Sequence, residues 1–258
     1  MQRPCLRRLA LQPYIWPQNI NMKRTVLFLS LLMLAQTASA QLFSREKIQN
    51  NQNFDKAFLS WGYFLGFNSY DFNFDYKQNL KDIQVEKSVG FSVGLIGNMR
   101  ISNHFDLRLE PGLYITKRFL NYDPSYFTGL EFNNSDLERE VRSTYIHIPL
   151  LLKISTKRVN NIKPFIVGGI STALNLSSNE ENPDDNSVGE FRAKRSVLFY
   201  EVGFGIDLYL FWFKFTPSIR GVFALNDELV RDNDPNSPWT GNIESMKTRG
   251  LFINFTFQ

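Results

Sequence analysis

Apolar and aromatic residues recur at every second position through most of this chain, which restricts it to strands with one apolar face. Trp61, Tyr63, Leu65 and Phe67 alternate with Gly62, Phe64, Gly66 and Asn68. Phe105, Leu107 and Leu109 alternate with Asp106, Arg108 and Glu110. Ile146, Ile148, Leu150, Leu152 and Ile154 alternate with Tyr145, His147, Pro149, Leu151 and Lys153. Leu198, Tyr200, Val202, Phe204 and Ile206 run against Glu201, Gly203, Gly205 and Asp207, and Phe213, Phe215, Ile219 and Phe223 against Lys214, Thr216, Ser218 and Arg220. The chain closes on Leu251, Ile253, Phe255 and Phe257. With segments 89–98 and 162–176 this gives eight strands of about 10–14 residues, long enough to cross a bilayer at a tilt.

The connections alternate in length. Short ones fall at 100–103, 157–161 and 209–212, and long ones at 71–87, 120–142, 177–196 and 226–247. An even strand count with alternating short turns and long loops is the pattern of an outer-membrane barrel, with short turns and both termini in the periplasm. The expected fold is therefore all-β: a single eight-stranded antiparallel transmembrane barrel with long external loops. Tyr70, Phe119, Tyr122, Tyr209 and Trp212, near strand ends, are expected in its interfacial girdles. A soluble eight-stranded barrel of lipocalin type would alternate identically but turn its apolar face inward. The charges on the alternate face, the leader and the aromatic last strand favour the membrane barrel.

Composition narrows the function classes. A net charge of +4 over 258 residues points to no nucleic-acid partner. Cys5, the single cysteine, can form no internal disulfide, and His104 and His147 leave little for zinc or hydrolytic chemistry. Lys23 and Arg24, the apolar run 25–35 and Ala38-Ser39-Ala40 read as a secretory signal peptide cleaved between Ala40 and Gln41. We expect residues 1–21 to be an over-extended start with Met22 as initiator, 22–40 the signal peptide, 41–57 a periplasmic extension and 58–258 the barrel domain. No cysteine follows the cleavage site, so no lipoprotein is expected.

The face opposite the lipid carries four acids, Asp106, Glu110, Glu201 and Asp207, and four bases, Arg108, Lys153, Lys214 and Arg220. An eight-stranded lumen is only wide enough for side chains to fill. Balanced charge in that space is expected to form a structural, paired network and not a pore. His147 reads as a buried, hydrogen-bonded lumen residue. Gly203 and Gly205, inside a strand, are expected to make room for lumen side chains. Carboxylates in two loops (Glu180, Glu181, Asp184, Asp185 and Glu190; Asp232 and Asp234) could bind Ca²⁺, or be a solvated loop tip. No catalytic, metal-binding or cofactor residue is expected.

Several segments carry a family resemblance. Asn53-Phe54-Asp55-Lys56 precedes Trp61-Gly62-Tyr63-Phe64-Leu65-Gly66; Tyr145 to Lys153 holds Tyr-x-x-x-Pro-Leu-Leu-Leu-Lys; Pro164 to Gly169 holds Pro-x-x-x-Gly-Gly; Glu201 to Asp207 follows. Over residues 53–258 the chain resembles the PorT family, small outer-membrane barrels tied to type IX secretion and gliding motility. The middle motifs are shared across outer-membrane barrels; the opening segment is more particular to PorT. The resemblance implies a part in exporting cargo with C-terminal sorting signals. Outer-membrane lipid, the barrel-insertion machinery and other secretion-system proteins are the implied partners. It implies no catalytic or cofactor residue. Gln258 after Phe257 departs from the usual aromatic end, but Phe252, Phe255 and Phe257 keep the insertion pattern. The alternative roles are a structural or adhesive surface barrel whose loops bind a ligand, and a membrane enzyme using His147.

Overall fold

The computed structural model describes residues 50–181 and 191–258, so the signal cleavage site at Ala40 and Gln41 lies outside the described residues. The described chain is a ten-stranded antiparallel sheet. Its strands are β1 (Leu59–Tyr76), β2 (Gln84–Lys87), β3 (Val89–Arg100), β4 (Phe105–Leu109) and β5 (Gly112–Asn121). They continue with β6 (Glu138–Ser155), β7 (Ile162–Asn175), β8 (Ser196–Tyr209), β9 (Lys214–Ala224) and β10 (Ile243–Phe257).

Consecutive long strands pair as hairpins, and β1 pairs on one side with β10 and on the other with β3. β4 and β5 lie end to end between β3 and β6. Between them stand Glu110 and Pro111, and proline has no N–H to give to a ladder. The run expected as one strand from Phe105 is thus interrupted at its centre. β2 pairs only with β5 and extends the wall at the long-loop end.

Three strands exceed the expected length: β1 and β6 have 18 residues each and β10 has 15. The long connections shrink accordingly. The one expected at 71–87 begins only after Tyr76, the one at 120–142 ends at Glu138, and the one at 226–247 ends at Ile243. At the other end the turns are tight. Val159 and Ile162 bridge across Asn160, whose left-handed φ of 54° suits asparagine better than a branched residue.

The sheet is apolar outside and polar inside, the reverse of a soluble barrel. Leu65 and Phe67 on β1, Leu150 and Leu152 on β6, and Val202 and Phe204 on β8 are exposed. Asn68, His147, Lys153, Glu201 and Asp207 on the same strands are buried. That distribution suits hydrocarbon as the outer solvent and sets aside the lipocalin arrangement.

Parity along the strands corrects the girdle expectation. Tyr70 lies on the same face of β1 as Phe64 and Asn68 and is fully buried, and Tyr122 and Tyr209 are buried as well. Phe119 is half-buried with Lys117 Nζ 4.5 Å over its ring, and Trp212 stands exposed in the β8–β9 turn.

Candidate functional site

The interior holds the eight charges singled out in the sequence. All are buried, because each sits at a position alternate to the apolar face of its strand. They form two groups. In the first, Arg108 pairs with Glu110 at 3.2 Å, Arg220 reaches Glu110 at 2.7 Å and Glu201 at 3.2 Å, and Glu201 Oε1 meets His147 Nε2 at 2.7 Å. In the second, Lys153 Nζ donates to Asp207 Oδ2 at 2.5 Å, and Thr216 Oγ1 donates to Asp207 Oδ1 at 2.8 Å. Phe165 separates the groups, with Lys153 Nζ 4.1 Å and the Arg108 guanidinium 5.4 Å from its ring centre. Gly205 provides the room: a Cβ there would meet Phe165 Cζ at 2.5 Å. Asp106 and Lys214 are buried as well.

His147 is enclosed by rings, with Tyr114 at 5.1 Å, Phe199 at 5.5 Å and Phe252 at 5.8 Å between centroids. Its near polar partner is the carboxylate already bound by Arg220, which makes it a member of the charge network. His104 sits in a turn, with Nδ1 2.9 Å from the Ser155 carbonyl oxygen.

Sequence reading missed Arg118. Its guanidinium lies 3.8 Å over the Phe72 ring and donates to Thr248 Oγ1 at 3.2 Å, Ser143 Oγ at 2.9 Å and the Tyr145 hydroxyl at 3.3 Å. The signal existed, since Arg118 shares parity on β5 with the buried Tyr114 and Thr116.

Both ends of the interior are stoppered. At the short-turn end a 3-10 turn, Gln52–Lys56, brings the Phe54 ring to 4.9 Å from Lys214 Nζ. Asp55 of that turn accepts from the Tyr209 hydroxyl at 2.6 Å and pairs with Arg158 at 2.9 Å. At the long-loop end Phe72, Leu120, Tyr122, Phe127, Phe191, Leu229, Ile243 and Met246 form one apolar cluster. Trp239 packs on it, donates from Nε1 to the Asp136 carbonyl at 3.2 Å and lies under the Arg139 guanidinium at 4.7 Å.

Of the carboxylates weighed as cation ligands, Asp232, Glu180 and Asp234 serve as loop anchors, and Glu181 is exposed. Asp232 is buried, pairs with Arg192 at 3.1 Å and accepts from Ser237 Oγ at 2.5 Å and Thr240 Oγ1 at 3.0 Å. Glu180 accepts from the Arg195 amide at 2.7 Å, and Asp234 from the Asn236 amide at 2.9 Å. Asp184, Asp185 and Glu190 lie outside the described residues. Among the described residues no three His, Cys, Asp or Glu side chains are grouped to hold a metal ion.

One loop carboxylate is bound to β10 at the long-loop end. Glu228 is fully buried and accepts from the Thr248 amide at 2.8 Å and its hydroxyl at 2.9 Å. Burial raises its pKa above the ordinary carboxylate value, and Asp227 adds to the rise, against the pull of Arg118 and Thr248. On the surface, Asp123 is lowered to about 2 by its bond from Lys81 and by the Ser125 amide.

The sequence model of the family described as outer membrane protein beta-barrel domain matches residues 35–230. No curated protein matches the chain. Among solved structures it is similar to Neisserial surface protein A, at 9% identity and a TM-score of 0.41 over 77% of this chain and 97% of that one. It is also similar to OprG from Pseudomonas aeruginosa, at 15% and 0.41 over 77% and 92%. A third is Ail of Yersinia pestis, solved with the heparin analogue sucrose octasulfate, at 10% and 0.35 over 76% and 96%.

Proposed function

The chain belongs to the outer membrane protein beta-barrel domain family and is a protein of the outer membrane, and we propose that it acts there by contact with other proteins and not by conducting solutes. In this reading β4 and β5 make one stave, β2 prolongs another, and the β1–β3 and β1–β10 pairings close eight staves into a barrel. The carrying observation is the contact between Arg220 on β9 and Glu110 beside β4, which bridges the middle of the interior at 2.7 Å. An eight-stranded barrel so bridged has no room for a water column. The eight interior charges are then structural, holding the register from inside, and the long loops face outward with both termini periplasmic.

Within that reading the role is a component of type IX protein export, and of gliding where it occurs. This rests on the sequence resemblance over residues 53–258. Its partners are outer-membrane lipid, the machinery that inserts barrels, and other secretion proteins. The folded loop cap favours a second reading, an adhesive or structural surface barrel whose loops hold an external ligand.

The test is the culture-supernatant proteome of a deletion strain against its parent. Many large cargo proteins should vanish from the medium and accumulate in the periplasm. An unchanged secretome would overturn the export role, and lost adhesion in the same strain would support the second reading.

A further inference from the structure

The short-turn end carries a feature that neither the charge network nor the loop cap uses. The β8–β9 turn reads Leu210-Phe211-Trp212-Phe213, with Phe211 76% and Trp212 93% exposed. A tight turn facing water is ordinarily built from polar residues, glycine or proline. The other two short turns are mostly polar and carry one exposed apolar residue each, Ile101 at 60% and Val159 at 59%, against two adjacent aromatics here.

This turn is also held rigid from three sides. Its own backbone closes with the Leu210 amide donating to the Phe213 carbonyl at 3.0 Å. The β6–β7 turn braces it, with the Tyr209 amide donating to the Asn161 carbonyl at 2.9 Å and the Arg158 guanidinium 3.8 Å over the Tyr209 ring. The N-terminal segment braces it too: Asn51 Nδ2 donates to the Leu210 carbonyl at 2.9 Å, and Asp55 ties Tyr209 to Arg158. Exposed Val159 lies on the bracing turn, and the exposed cations Lys56 and Lys157 belong to the two bracing segments.

An exposed tryptophan and phenylalanine on a rigid support, with polar groups around them, is the composition of a binding hot spot. Lipid explains the feature less well. The outward aromatic row on this side runs through Phe255, Phe215, Phe257 and Tyr63 and takes in Phe213 of the turn, with neighbouring rings 5.3–6.1 Å apart. Trp212 lies beyond that row, past the start of β9 at Lys214.

We propose that Phe211 and Trp212 form a docking knob for a periplasmic protein presenting an apolar pocket edged by acidic groups, which Lys56 and Lys157 face. This rests on the contact reading above but not on the export role. It assigns the site of contact to the short-turn end.

The test has two arms. In the first, the full chain with Trp16→Phe, Trp61→Phe and Trp239→Phe is reconstituted in phosphatidylethanolamine–phosphatidylglycerol vesicles, leaving Trp212 as reporter. Its fluorescence should be quenched by acrylamide and untouched by lipids brominated on the acyl chain. Bromolipid quenching would overturn the proposal in favour of a lipid contact. In the second arm, a photo-crosslinking amino acid replaces Trp212 in cells, with Ile148 as the lipid-facing control position. One discrete adduct with another protein is expected at 212 only, reduced at least tenfold by Lys56→Glu with Lys157→Glu. Heat-modifiable gel migration confirms that each variant is folded. An adduct between two copies of this chain, or one indifferent to charge reversal, would overturn it. Neither arm reads secretion, so a normal secretome in the deletion strain leaves this test standing.

Discussion

Arg220 and Glu110 meet at 2.7 Å although three strands separate them in either direction around the sheet. Glu110 also binds Arg108, and Arg220 also binds Glu201, so four charges on β4, the β4–β5 link, β8 and β9 are tied through one contact. Buried ion pairs contribute little net energy when intact, but removing one partner strands the other charge. Arg220→Met leaves Glu110 and Glu201 without their shared cation and is expected to cost about 3–5 kcal/mol of unfolding free energy, read by urea titration in micelles. Arg220→Met with Glu110→Gln and Glu201→Gln should recover most of that loss. A single variant as stable as the parent would show that the contact carries no structural weight.

Phe165 can lie between the two charge groups because residue 205 has no side chain. Gly205→Leu should displace the ring and destabilise the barrel by about 1–3 kcal/mol or more through overpacking. Gly168→Ala is the control, since a Cβ there meets only the Glu201 carbonyl at 3.6 Å. Equal losses for the two would contradict the packing argument.

The loop cap should behave as its own cooperative unit. Trp239→Ala removes a ring packed on the apolar cluster, the bond to Asp136 and the Arg139 stacking, and is expected to weaken the cap by about 3 kcal/mol. Faster amide exchange confined to the loops, with strand amides unchanged, is the expected result.

Glu228 makes that cap sensitive to pH. Its folded pKa lies above the unfolded value, so the native cap binds a proton that the open form releases. The stabilisation is complete below the ordinary carboxylate range near 4.5 and is lost as pH rises through the raised value. Loop exchange should therefore be slower at pH 4 than at pH 8 after correction for intrinsic rates. Glu228→Gln should hold the low-pH behaviour at both. An opposite slope would overturn the assignment.

How much was legible in sequence follows from what alternation encodes. Period two tells which residues share a face, so the strands and all eight interior charges could be read from parity. Which acid pairs with which base could not, because Arg220 and Glu110 are joined by sheet curvature and not by spacing. The break in the wall was signalled by Pro111-Gly112 but passed over in favour of the surrounding alternation. Tyr70 was misplaced for a different reason: nearness to a strand end was weighed above its parity with Phe64 and Asn68. The loop cap had no legible signal. Its residues, from Phe127 to Trp239, come from separate loops with no shared period, and only the fold brings them together.

The central claim is that the interior is sealed and the protein works by contact. The most direct measurement is ion conductance of the purified, heat-modifiable barrel in planar lipid bilayers. The account predicts no stable conducting state across the physiological voltage range, in the parent and in Glu228→Gln alike. A reproducible, ion-selective open level would contradict it.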